Sequence, residues 1–137
     1  MSDILYRKIE QRDNEELAEL IREVFREFHI DKPGTVYFDP TTDHLYELFR
    51  HPGSVYWIAE DKEKILGGCG IYPTPGLPDR CAELVKLYLL HGARGKGTGR
   101  CLMEKCFMSA KEMGYRQLYL ETLPELGRAV GLYEKAG

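Results

Sequence analysis

The stretch ELVKLYLLHGARGKGTGRCLME, residues 83–104, decides how the rest of the chain is read. Its first part, Glu83 to Leu90, lies within the longest strand candidate, CAELVKLYLL at 81–90. Its last part opens a helix, because Leu102, Met103, Cys106, Ala110 and Met113 recur at three- and four-residue steps. Between them stand Gly95, Gly97 and Gly99, flanked by Arg94, Lys96 and Arg100. Strand, glycine-rich turn and helix in this order make a seat for an anion. The first N–H groups of a helix have no partner within it, and its dipole favours negative charge there. Glycines let the backbone approach a phosphate closely.

Three phosphate-bearing ligands compete for such a turn. A nucleoside-triphosphate loop has the form Gly-x-x-x-x-Gly-Lys-Ser/Thr. Gly92 stands too close to Gly95-Lys96 for that spacing, and Gly97, not a hydroxyl residue, follows the lysine. A dinucleotide fingerprint, Gly-x-Gly-x-x-Gly, follows the first strand of a parallel sheet. Gly95, Gly97 and Gly99 have a different spacing, and the strand before them is the fourth in the chain. The third ligand is the pyrophosphate of coenzyme A.

Outward from this stretch, the N-terminal half supplies a short strand at 4–9 and then a helix. Leu17, Leu20, Ile21, Val24, Phe25 and Phe28 form its apolar stripe, and Asp13 with Glu16 reads as a capping box at its start. A loop rich in Pro and Gly follows, and then a short helix carrying Leu45, Leu48 and Phe49. VYWIA (55–59) and ILGGCGIY (65–72) flank the charged turn EDKEK and predict a hairpin. Past the helix that follows the glycines, Gly114 caps, YRQLYLE (115–121) is a strand, and Pro124 opens a last helix to Ala136. The expected order is β-α-α-β-β-β-α-β-α: three antiparallel strands followed by a parallel pair over 81–121. That is a single α/β domain over 1–137, with three layers and a mixed central sheet.

Composition narrows the class of function. The chain has 137 residues, 43% hydrophobic and 30% charged, enough for one packed domain. A net charge of −3 argues against a broad nucleic-acid or membrane surface. The first residues carry no secretory pattern, and no run approaches the roughly 18 to 20 apolar residues of a membrane span. Cys69, Cys81, Cys101 and Cys106 form no Cys-x-x-Cys and no metal spacing. They read as reduced thiols of a cytoplasmic protein, and no metal is expected.

Two motifs now carry a resemblance. Arg94-Gly95-Lys96-Gly97-Thr98-Gly99 resembles the Arg/Gln-x-x-Gly-x-Gly/Ala signature of the GNAT acyltransferases. YLETLPELGRAVGLYEKAG (119–137) resembles that family's next strand and helix, ending in Leu-Tyr-Glu-Lys-x-Gly. The likeness spans nearly the whole chain in element order and is specific mainly over 83–137.

The resemblance implies an N-acetyltransferase that moves an acetyl group from acetyl-CoA to a primary amine of a small molecule or peptide, by direct transfer in a ternary complex. It implies that Leu87, Tyr88 and Leu89 bind the pantetheine arm through their backbone, with the Leu89 N–H nearest the thioester oxygen. It places the pyrophosphate on the amides of Arg94, Gly95, Lys96, Gly97, Thr98 and Gly99, with Arg100 beside it. Glu83 is the expected general base, its alternative being a solvated strand-end charge. Tyr133 is the expected general acid toward the CoA sulfur, its alternative being an aromatic core residue. Glu121 is either a substrate contact or, more simply, a surface charge.

Two departures qualify this. Leu126 stands where many members carry an asparagine that touches the pantetheine arm. The family also continues after the final glycine with two more strands, whereas this sequence stops at Gly137. The expectation is therefore a domain lacking those strands, with a sheet edge open to a homodimer. The alternatives to an active enzyme are a non-catalytic CoA-binding or regulatory module and an interaction protein paired through that edge. The acceptor amine is not legible, although Tyr37, Phe38 and Tyr72 are candidates to line its site.

Overall fold

The structure, a computed structural model, describes residues 4–27, 40–95 and 97–120. Strand β1 (Leu5–Lys8) leads into a short 3-10 turn and helix α1 (Asn14–Glu27). A second 3-10 turn precedes the single-turn helix α2 (Leu45–Leu48). Strands β2 (Val55–Asp61), β3 (Lys64–Tyr72) and β4 (Cys81–Leu89) follow, then helix α3 (Thr98–Glu112) and strand β5 (Gln117–Leu120). They form one five-stranded sheet in chain order, antiparallel from β1 to β4 and parallel between β4 and β5. This is the mixed sheet expected from the sequence. The last predicted helix lies outside the described residues.

The sheet has helices on both faces because its central strands are apolar on both sides. In β2, Val55 and Ala59 face the cluster that holds α3, while Tyr56 and Ile58 face the cluster that holds α1. Leu17, Leu20, Ile21, Val24 and Phe25 of α1 pack there with Leu45 and Phe49. Leu102, Met103, Cys106 and Ala110 of α3 fill the opposite side with Ala82, Leu84, Leu87 and Leu89 of β4. Each fully buried side chain of this kind contributes roughly 1.5–3 kcal/mol, so the two clusters hold the sheet between its helices. Met113, expected on the buried stripe, lies just past the end of α3 and is exposed.

Two local features differ from the sequence expectation. The capping box sits one turn earlier than Asp13–Glu16: Asp13 Oδ2 accepts the Glu10 N–H at 2.7 Å. Asp13 also receives both terminal nitrogens of Arg7 at 2.8 Å. Glu16, freed from capping, accepts the Ile65 N–H at 2.7 Å and fastens α1 to β3. The turn between β2 and β3 is tight, with Lys62 and Glu63 both in the left-handed region at φ 50° and 68°. That backbone matches the twist of a two-residue hairpin. Cys69 and Cys106 are buried between β3 and α3, whereas Cys81 and Cys101 are partly exposed.

Candidate functional site

The site is built around an irregularity in β4. Gly70 pairs with Val85 and Gly68 pairs with Tyr88, so β4 carries one residue more than β3 over this interval. The result is a β-bulge, with Lys86 in the left-handed region at φ 55°. The bulge also inverts the face of the strand. Ala82 and Leu84 point to α3 before it, and Leu87 and Leu89 point to α3 after it.

A tyrosine on another strand holds this bulge. Tyr56 of β2 lays its ring across β3 at Gly68 and Gly70, where a Cβ at either position would collide with it. Its hydroxyl thereby reaches β4 and donates to the Lys86 carbonyl at 2.7 Å. Neither Tyr56 nor this link was anticipated from the sequence. The readable signal was the pair of glycines spaced by two within an otherwise β-rich run.

Past the bulge, one edge of β4 is open. The Leu90 N–H donates to the Leu66 carbonyl at 2.9 Å. Leu66 and Leu90 are therefore a hydrogen-bonded pair of the ladder, and alternation makes Gly67 and Leu89 a non-bonded one. The Leu89 N–H and C=O consequently point away from β3. On that side β5 pairs with β4 from Cys81 to Leu84 only, among the described residues. Leu87 lies at the bulge with its side chain packed toward α3. Tyr88 departs from expectation. Its main-chain groups turn toward β3, opposite Gly68, and its ring is buried 5.6 Å from Phe25. Burial pushes its phenol well above the usual tyrosine range. Its side chain belongs to the core on the α1 side of the sheet.

The glycine turn continues from this edge. Gly95 and Gly97 have φ of 78° and 83°, and a Cβ at either would meet nothing within 4 Å. The backbone is thus left-handed and bare at both positions. Gly97 is the N-cap of α3, because its carbonyl accepts the first helical bond from Cys101 N–H at 3.0 Å. The N–H groups of Gly97, Thr98, Gly99 and Arg100 have no partner within the helix. Gly99 is buried, and Thr98 is 1% exposed with its hydroxyl unpaired among the described residues. Arg100 is exposed in the first turn, 3.8 Å from Glu104. Lys96 and Tyr133, both expected in the site, lie outside the described residues, as do Glu121, Leu126, Tyr37 and Phe38.

Arg94 is placed differently from a free phosphate ligand. Its two terminal nitrogens donate to the two carboxylate oxygens of Glu27 at 2.6 and 2.8 Å, and one also donates to the Leu89 carbonyl at 2.9 Å. The Arg94 hydrogen bond holds the Glu27 carboxyl below the usual carboxylate range.

Glu83 stands near the other end of β4, where the strand is paired on both sides, with Tyr72 and with Tyr119. Its Oε1 accepts the Thr74 hydroxyl at 2.7 Å. It opens into a cleft of about 330 Å³ lined also by Phe49, Tyr72, Val85 and Lys86. Tyr72 is fixed there by an edge-on contact with Phe49 at 5.8 Å. The bulge thus lies between a carboxylate cleft and a glycine cradle. Among the described residues, no group of His, Cys, Asp and Glu could hold a metal ion, and no helix is long and apolar enough to cross a membrane.

Comparison with known proteins agrees with this geometry. Residues 14–137 match the acetyltransferase (GNAT) family. The uncharacterized N-acetyltransferase YjgM of Escherichia coli (strain K12) is 39% identical over 133 residues, covering 96% of this chain and 79% of that protein. A GNAT-family acetyltransferase from Staphylococcus aureus Mu50 superposes with a TM-score of 0.86 at 24% identity, covering 98% of this chain and 84% of the other. A predicted acetyltransferase from Clostridium acetobutylicum, solved with acetyl-CoA, superposes at 0.79 with 21% identity, covering 98% and 89%. A bare glycine turn at a helix start, a strand edge open among the described residues and a sequence match over most of the chain have one common account: the chain belongs to the acetyltransferase (GNAT) family.

Proposed function

We propose that the protein binds acetyl-CoA along the open edge of β4 and transfers the acetyl group to a primary amine held in the Glu83 cleft. The observation that carries this is the Leu89 N–H, turned outward on a strand that leads through one 3-10 turn (His91–Ala93) to Gly95 and Gly97. The bare, left-handed backbone of the cradle and the unpaired N–H groups of α3 fit a pyrophosphate. Leu89, with Leu87 beside it, lines the edge that takes the pantetheine arm. The amides of residues 95–99 receive the pyrophosphate, the Arg94 N–H being held by the His91 carbonyl at 3.3 Å, and Arg100 adds a cation at the rim.

Acetyl-CoA supplies an activated carbonyl, and the chain's own residues do the rest. Glu83, oriented by Thr74, accepts a proton from the ammonium form of the acceptor, directly or through water. The freed amine forms the new N–C bond as the C–S bond breaks. The Leu89 N–H donates to the oxygen on which negative charge gathers, the place where a fixed dipole has most effect. Tyr133 returns a proton to the departing sulfur. The adduct nitrogen gives up its second proton to the Tyr133 phenolate, the proton held by Glu83 passes to water, and acetyl amide and CoA thiol leave.

The test has two steps. Calorimetry with acetyl-CoA measures binding, and thiol release is then followed with amines, polyamines, amino acids and peptides. Saturable binding and acceptor-dependent thiol release are expected. An absence of binding at millimolar acetyl-CoA would overturn the proposal.

A further inference from the structure

We propose that Glu27, at the end of α1, is a positioning residue for the cofactor: through its two-point hold on Arg94 it fixes the turn between β4 and α3 in the shape that receives the pyrophosphate. The inference rests on the coenzyme A reading above and goes beyond it, since α1 carries none of the residues assigned to that site.

The geometry runs in three steps. Arg94 lies inside the phosphate-binding stretch, yet its side chain points to α1. Both terminal nitrogens meet both Glu27 oxygens, the fork-on-fork arrangement that fixes a guanidinium in angle as well as distance. The Arg94 side chain is 14% exposed and that of Glu27 33%, so the pair is half-buried from the Arg94 side. The same guanidinium donates to the Leu89 carbonyl. One rigid plane thus joins α1, the last residue of β4 and the chain immediately before Gly95. Arg94 itself is extended, at φ −77° and ψ 149°, and this turns the chain out of the 3-10 turn (His91–Ala93) into the cradle.

Charge supports the same assignment. A carboxylate beside a pyrophosphate seat repels the ligand unless it is neutralised, and Arg94 neutralises Glu27 at contact distance. His91 approaches the same carboxylate at 3.2 Å. The sequence separation of 67 residues between Glu27 and Arg94 shows why the pair is invisible before folding.

The experiment measures CoA affinity by calorimetry and the thermal midpoint without ligand, for the wild type and four variants. Glu27→Gln and Arg94→Met are each expected to raise the CoA Kd about tenfold, with the midpoint moved by only a few degrees. The exchanged pair Glu27→Arg with Arg94→Glu restores the two-point ion pair with the partners reversed, though not the bond to the Leu89 carbonyl, and is expected to recover most of the affinity lost in the single variants. Glu23→Gln, on the exposed face one turn earlier, is expected to bind as the wild type does. If Glu27→Gln binds CoA normally, the inference is overturned and the acetyltransferase proposal stands. If the exchanged pair binds as poorly as Arg94→Met, the Arg94 charge acts on the phosphate itself and the positioning role is overturned. If the wild type binds no CoA, both proposals fail. Should either single variant fail to fold, the exchanged pair carries the test.

Discussion

Strand β4 passes through two environments, and the difference between them separates the two tasks of the site. From Cys81 to Leu84 it is paired on both sides, with β3 and with β5. From the bulge to Leu89 the described structure pairs it with β3 alone. The first half is ordinary core, and it gives Glu83 a rigid seat. The second half turns the Leu89 N–H away from β3, on a side where no strand is paired among the described residues. A backbone group on an unpaired edge is accessible without any cost to the core, because the side chains of Leu87 and Leu89 remain packed under α3. One strand can therefore hold the sheet together and present a binding edge, provided that its neighbour stops short and a bulge re-aims the chain.

The sharpest way to break this comparison is to damage the doubly paired half. Leu84→Ala empties a site that is 1% exposed and should cost about 2–5 kcal/mol in denaturant unfolding. The remaining folded protein should bind CoA with unchanged affinity. Weaker CoA binding by the folded fraction would mean that the two halves are not independent.

Next in size is the chemistry seated on that half. Glu83→Gln should lower turnover about a hundredfold, the ordinary contribution of a general base, while CoA affinity and thermal midpoint hold steady. Full activity in this variant would return Glu83 to a solvated strand-end charge.

The open half is tested at the cradle. Gly97→Val forces a branched residue into the left-handed region, at a strain of roughly 1–2 kcal/mol, and puts a side chain into the bare space over α3. CoA affinity should fall about thirtyfold, or roughly 2 kcal/mol. Gly76→Val is the control. It occupies a comparable left-handed turn at φ 93° with nothing near it, so it should lose similar stability and no CoA affinity.

A smaller effect is expected where the halves meet. Tyr56→Phe removes the hydroxyl that holds the Lys86 carbonyl and should cost about 1 kcal/mol. If the bulge depends on that bond, turnover should fall several-fold more than the stability loss explains. Equal CoA binding and equal turnover in wild type and variant would show that the bulge holds itself.

Acid gives the smallest effect. The Glu27 carboxyl is held below its usual value, chiefly by the hydrogen bond from Arg94. A carboxyl depressed on folding contributes stability above its unfolded pKa and loses it as pH falls through the folded value. Below about pH 4.3 the wild type should therefore lose an increment of thermal stability that Glu27→Gln lacks. That increment is a fraction of ~1 kcal/mol, since the pair is partly solvated.

Much of the architecture could be read from local pattern. The stripes Leu17–Phe25 and Leu102–Ala110 marked both long helices, and the β-rich runs at 55–59 and 65–72 around a charged turn marked the hairpin. The capping box was misplaced because Asp13 has two suitors: a following helix and the preceding Glu10 amide. Arg7 settled the matter by locking the Asp13 carboxylate in place from β1. Within β4, Leu84, Leu87 and Leu89 break strict alternation, which is the written trace of the bulge.

What the sequence by itself determined is the glycine turn: Gly95 and Gly97 between a strand and a helix give a bare, left-handed backbone ahead of the first helical N–H groups, because both properties are local. What only tertiary structure decided is which groups face that turn. The register with β3 sets Tyr88 opposite Gly68, and the Arg94 side chain is held by Glu27 across 67 residues. Register and distant charge pairing depend on how whole elements pack, and no local pattern encodes them.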